Sequence, residues 1–139
     1  MTETRAKGTY TLLIELEANA EIGVGALGLR DFPAGWYAYT GSAFGTGGFS
    51  RVDRHRRVAA GDHDVRHWHI DYLLGHPAVR LDAVRTSAGL DAECRVARAL
   101  PGERVAGFGA SDCGCDSHLA YATERTILSR AIGNAYAEQ

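Results

Sequence analysis

Apolar and polar positions along the chain change rhythm several times, and each rhythm predicts an element. Residues 9–17, TYTLLIELE, are β-branched, aromatic and aliphatic over a strand's length and predict a buried strand. Trp36-Tyr37-Ala38-Tyr39-Thr40-Gly41 predicts a second strand with a glycine to turn on, and residues 78–86, AVRLDAVRT, alternate as a third. Residues 50–60 predict a helix with Ser50 as candidate cap, and residues 91–100, DAECRVARAL, a helix stopped by Pro101-Gly102. Residues 67–74, HWHIDYLL, read two ways. Alternation sets His67, His69 and Asp71 on one side of a strand. Helical spacing groups Ile70, Leu73 and Leu74 before a Gly75-His76-Pro77 stop, and the helix is preferred. A last amphipathic helix covers about 122–132, with Ile127, Leu128 and Ile132 as its apolar set, while 42–49 and 107–118 are glycine-rich and irregular. The order β, β, α, α, β, α, loop, α predicts a mixed α/β domain of the α+β kind, a small and largely antiparallel central sheet flanked by helices.

The 139 residues fit one domain over 1–139, with a core from about 8 to 119 and the closing helix after it. A net charge of -2 announces no global affinity for nucleic acid, but 14 of the 15 basic residues are arginine, whose planar fork suits phosphate and carboxylate. No stretch approaches a membrane span, and the opening MTETRAKG has no secretory apolar core. Three cysteines, Cys94, Cys113 and Cys115, then imply reduced thiols and a cytoplasmic setting.

Gly23-Val24-Gly25-Ala26-Leu27-Gly28 has the G-x-G-x-x-G spacing of a dinucleotide-binding turn. That turn works only if a helix follows and an acid about 20 residues on meets the ribose. Here LRDFPAGWYAYTG follows, with Pro33, Gly35 and an aromatic run, and no acid lies in the SAFGTGGFS window. The glycines are expected to shape a connection between strands, with no dinucleotide cofactor.

A different constellation carries chemistry. Gly8-Thr9-Tyr10 opens the first strand, Tyr39-Thr40-Gly41 closes the second, Arg51 and His55 form an R-x-x-x-H on a helix, and Glu93 follows on a later helix. This order resembles the GIY-YIG nuclease family. More narrowly it resembles the archaeal-type GIY-YIG-like domain of unknown function, of DUF123 type. The blocks of that branch occur here in sequence: Tyr37 to Ala43, Arg54-His55, His67 to Leu73, Glu93-Cys94 and Ser111 to Leu119. The resemblance implies a metal-dependent endonuclease acting on nucleic acid, DNA before RNA. It implies Tyr10 helping to deprotonate an attacking water, Tyr39 orienting water or phosphate, Arg51 pairing with non-bridging oxygens, and Glu93 holding one Mg2+ or Mn2+ ion. Arg54 and His55 would bind substrate. A tyrosine titrates near 10, so a basic Tyr10 calls for a lowered pKa from Arg51 or the metal and for activity that improves at alkaline pH. The chain departs from the family in its spacing, since Tyr10 and Tyr39 lie 29 residues apart, with GVGALG inside the extra length, where the family uses a tight hairpin. The polar residue that often follows the glutamate in the family has no clear match here, and Asn134 is not assigned to it. Tyr37 also competes with Tyr39 for the second tyrosine role.

Cys113-Gly114-Cys115-Asp116-Ser117-His118 offers three zinc-ligand types in six residues, and a closed structural site needs a fourth, from Cys94, His67 or His69. Reduced cysteines packed in a glycine loop are the alternative. Two other functional readings stand beside the nuclease: a catalytically inactive nucleic-acid-binding or repair accessory module, and a zinc-stabilised interaction domain.

Overall fold

The computed structural model describes residues 6–45, 47–64, 66, 68–105, 108 and 117–138. The elements run β1 (Gly8–Leu16), β2 (Ala20–Gly23), β3 (Leu29–Phe32), β4 (Gly35–Ser42), α1 (Ser50–Ala59), α2 (His69–Leu74), β5 (Val79–Ala88), α3 (Glu93–Ala99), β6 (Glu103–Arg104), β7 (Leu119–Ala122) and α4 (Arg125–Ala137). Five strands form one sheet in the order β5-β1-β4-β7-β6, with every neighbouring pair antiparallel, and β2 and β3 form a separate hairpin. This is the mixed α+β architecture expected from the sequence.

β1 sits inside the sheet, and its alternation divides the core in two. Tyr10, Leu12, Ile14 and Leu16 join Ile22, Val24 and Phe32 of the hairpin and Val52, Ile70, Leu73 and Leu74 of α1 and α2. Leu13 faces the other side, with Val96 of α3 and Leu128, Ile132 and Tyr136 of α4. Thr11 also points there, where its hydroxyl meets Tyr136 Oη at 2.8 Å. A sheet covered on both faces explains why TYTLLIEL reads as a continuous apolar run instead of a clean alternation.

The GVGALG stretch builds the turn of the β2–β3 hairpin. A short 3-10 turn, Gly25–Leu27, is closed by Leu27 N–H to Val24 O and Gly28 N–H to Gly25 O. Gly25 and Gly28 take φ of 48° and 75°, the left-handed region that favours glycine. The hairpin does not separate β1 from β4: Tyr10 pairs opposite Gly41, and Leu12 opposite Tyr39.

Four strands are additions to the sequence expectation. β2, β3 and β7 have four residues each and β6 two, too few for a periodic signal. Two local expectations change. Phe49, not Ser50, stands at the N-cap of α1, without a side-chain hydrogen bond. α4 continues to Ala137, and its buried line is Leu128, Ile132, Ala135 and Tyr136, which leaves Ile127 43% exposed. Ile127 lies about 100° round the helix from Leu128 and so leaves the stripe. Among the described residues no helix is long and apolar enough to cross a membrane.

The corrected register of α4 is testable by urea denaturation. Leu128→Ala, which opens a cavity in the core, should cost about 2–5 kcal/mol, and Ile127→Ala about 1 kcal/mol or less. Equal losses would contradict the register.

Candidate active site

β1 and β4 place two phenols side by side. Tyr10 and Tyr39 lie on one face of adjacent strands, with ring centroids 6.4 Å apart. Gly41, the last residue of the Tyr39-Thr40-Gly41 motif, makes this possible. A Cβ there would stand 2.5 Å from both Cζ and Oη of Tyr10, so only glycine lets the phenol lie across the backbone. Tyr37 lies on the same face, two residues away. Its hydroxyl donates to Pro33 O at 2.6 Å and its ring packs on Phe32 and Tyr121.

α1 supplies the groups above the phenols. Arg51 and His55 are one turn apart and share a face. His55 is fully buried and its Nε2 lies 2.8 Å from Tyr10 Oη. Arg51 donates to Ser42 O at 2.6 Å, and its positive charge acts on the Tyr10 phenol. Arg54, read from sequence as substrate-binding, has its fork engaged: Nη1 and Nη2 donate to the two oxygens of Asp71 at 2.9 and 3.0 Å. Asp71 is fully buried, and Oδ2 also accepts the Trp68 backbone N–H at 2.8 Å, closing the first turn of α2. The Trp68 indole carries both guanidiniums, with Arg51 Cζ 4.3 Å and Arg54 Cζ 4.5 Å from its centroid.

Glu93 arrives from the first turn of α3. Thr9, the middle residue of Gly8-Thr9-Tyr10, anchors that turn: its hydroxyl donates to Leu90 O at 2.7 Å and accepts the Ala92 N–H at 3.1 Å. The residue before Tyr10 therefore fixes the residue before Glu93. The sequence alone assigns Thr9 no task, although its place in the motif was the available signal. Glu93 Oε2 stands 3.1 Å from His118 Nδ1, and the Glu93 charge acts on both phenols. His69 rests on Phe108, and Phe108 on Tyr39, with centroid distances of 5.6 and 6.1 Å.

Burial dominates the electrostatics. It pushes the Tyr10 phenol well above its usual range, and the charges of Tyr39 and Glu93 add to the rise against the pull of Arg51. The lowered Tyr10 pKa expected from sequence is thus reversed, because desolvation outweighs one guanidinium. Tyr39 is raised for the same reason, with Glu93 contributing. Burial drives His55 the other way, down to about 4, despite the Asp71 carboxylate. Near neutral pH the cluster therefore holds two protonated phenols and a neutral imidazole, whose Nδ1 has no hydrogen-bond partner among the described residues.

The donor set suits a magnesium-like cation modestly. Mg2+ keeps several waters and takes one or two carboxylates plus substrate oxygens, and Glu93 is one partly exposed carboxylate whose charge acts on both phenols. Among the described residues no group of three or more His, Cys, Asp or Glu side chains is arranged to hold a metal. Of the zinc candidates, Cys113, Cys115 and His67 lie outside the described residues. Cys94 is disulfide-bonded, where reduced thiols were expected, and its Sγ stands 3.7 Å from His118 Nε2.

A family model, described as a domain of unknown function, DUF123, matches residues 9–139. No curated protein and no solved structure matches the chain.

The buried charges make stability measurable residue by residue. Arg54→Ala would strand the Asp71 carboxylate inside the protein and should cost about 3–5 kcal/mol, whereas the partly exposed Arg51→Ala should cost about 1 kcal/mol. Chemical denaturation of both variants checks the contrast. His55 has a folded-state pKa below its unfolded value of 6.5, so its contribution is intact above about pH 6.5 and is lost as pH falls toward about 4. The difference in stability between wild type and His55→Gln should shrink by roughly 3 kcal/mol between pH 7 and pH 4. A pH-independent difference would show that His55 protonates as freely folded as unfolded.

Proposed function

We propose that this chain, which belongs to the DUF123 family, is a metal-dependent endonuclease of GIY-YIG type that hydrolyses nucleic-acid phosphodiester bonds. The observation that carries this reading is the convergence of Tyr10, Tyr39, Arg51, His55 and Glu93, drawn from β1, β4, α1 and α3, around one phenol pair.

Phosphodiester hydrolysis requires an aligned nucleophile, compensation of the charge that builds on the non-bridging oxygens, and a stabilised leaving oxygen. Arg51 supplies the compensation. It is the positive charge beside the phenols, and its planar fork matches two phosphate oxygens. Tyr10 stays a phenol at neutral pH, so its part in moving a proton is a relay. Its oxygen takes a hydrogen bond from the attacking water as its own proton is accepted by neutral His55 Nε2, 2.8 Å away. This gives His55 a proton-accepting role in place of direct substrate binding. Tyr39, against Tyr10 and Phe108, fixes the water or phosphate from the other side. Glu93 would hold a Mg2+ or Mn2+ ion, which when bound supplies Lewis-acid polarisation of the phosphate and leaving group. Arg54 acts at one remove, as the counter-charge of Asp71.

The test is a cleavage assay with Mg2+ or Mn2+ on single-stranded, duplex, nicked and branched DNA and on RNA. Tyr10→Phe, Arg51→Ala and Glu93→Ala should each lower cleavage by about 100-fold or more with the fold intact. A wild type that cuts none of these substrates, or three variants that all cut normally, would sink the reading. Salt-dependent oligonucleotide binding without cleavage would point instead to an inactive nucleic-acid-binding module.

A further inference from the structure

We propose that Trp68 is a positioning residue for Arg51: its indole is the platform that sets the plane of the guanidinium facing the phenols. The inference rests on the nuclease reading of the site and adds to it a residue that touches neither the reacting atoms nor the metal.

A long side chain on the first turn of a helix, partly open to solvent, samples many rotamers, and ordering it when substrate binds is a cost. Two contacts remove that freedom from Arg51. The indole lies beneath the guanidinium at 4.3 Å and fixes its plane. Ser42 O at 2.6 Å takes one N–H. One plane and one anchored edge determine the orientation of a flat group, and a guanidinium with five N–H donors keeps others for phosphate oxygens.

Trp68 is itself held by the neighbouring arginine and acid. Arg54, three residues on from Arg51, lies over the same indole at 4.5 Å and is bound through both nitrogens to Asp71. Asp71 in turn accepts the Trp68 backbone N–H. The acid therefore offsets the charge of Arg54 and fixes the tryptophan main chain, while the Arg51 guanidinium donates to the Ser42 carbonyl and its charge acts on the Tyr10 phenol. Two guanidiniums need a large aromatic face, and this accounts for a tryptophan at the head of α2, where a capping residue would ordinarily stand. It also gives the residues from Trp68 to Leu74 a division of labour: Trp68 and Asp71 present the arginine, and Ile70, Leu73 and Leu74 bury the helix beneath them.

The experiment pairs a spectroscopic readout with a kinetic one, using Trp68→Leu, which keeps apolar bulk, and Trp68→Phe, which keeps an aromatic face. In the wild type, stacking should shift the Arg51 side-chain proton resonances upfield. Trp68→Leu should abolish that shift and Trp68→Phe should keep most of it. In cleavage, Trp68→Leu should lower kcat by about 10- to 100-fold with little change in KM, and Trp68→Phe should restore most of the loss. Added to Arg51→Ala, Trp68→Leu should bring no further loss, because the platform then has nothing to position. An Arg51 spectrum without the upfield shift, or one indifferent to Trp68→Leu, overturns the inference. So does a kinetic loss of equal size with and without Arg51. A wild type that cuts no nucleic acid removes the nuclease reading instead, and the Arg51 spectrum keeps that failure distinct.

Discussion

Asp71 is buried completely, and a carboxylate can stay charged without water only if donors replace it. Both terminal nitrogens of Arg54 and the Trp68 backbone N–H serve as those donors. They come from α1 and from the head of α2, so satisfying one acid fixes two helices against each other. Successive residues stand about 100° apart around a helix, so placing one side chain places the rest. The rotation of α1 that carries Arg54 to Asp71 also carries His55 to Tyr10 and sends Val52 and Val58 into the core. The arrangement of side chains on this face inherits its precision from this requirement.

The phenols obey a different rule. They are held where ionisation is unfavourable, in a core built from Leu12, Ile14, Phe49 and Phe108 as well as the site residues. The burial that organises Tyr10 also prevents it from serving as a phenolate near neutral pH. The nuclease proposal therefore calls on hydrogen-bonded transfer starting from neutral groups and on the positive field of Arg51. The Nδ1 of His55, without a partner among the described residues, fits the same picture. A buried polar atom left in that state marks a place where packing yields to some other demand.

Much of this was legible in the sequence. β1, β4, β5 and the four helices announce themselves through runs of β-branched residues, helical spacing and glycine or proline stops, and the HWHIDYLL segment resolves as a helix once Ile70, Leu73 and Leu74 are grouped. The ordered motifs nominated Tyr10, Tyr39, Arg51, His55 and Glu93, which the fold brings to one region. Less could be read about what those side chains touch. That Arg54 answers a buried acid depends on a contact across 17 residues, and that Tyr10 is too well buried to ionise depends on layers contributed by the whole chain. The GVGALG hairpin shows the difference: local glycine chemistry predicted a turn, but its harmless position beside an intact β1–β4 pair is a property of the sheet.

β1 takes its two neighbours from distant parts of the chain, β4 after an intervening hairpin and β5 after two helices. Glu93 follows β5, and β7, which pairs with the far side of β4, comes later still. On a ribosome, where the chain is released in order from β1 onward, the tyrosines emerge early, Arg51 and Asp71 follow with α1 and α2, and Glu93 is absent until α3 has been made. The cluster is thus a late product of synthesis, and no fragment ending before α3 can contain it whole.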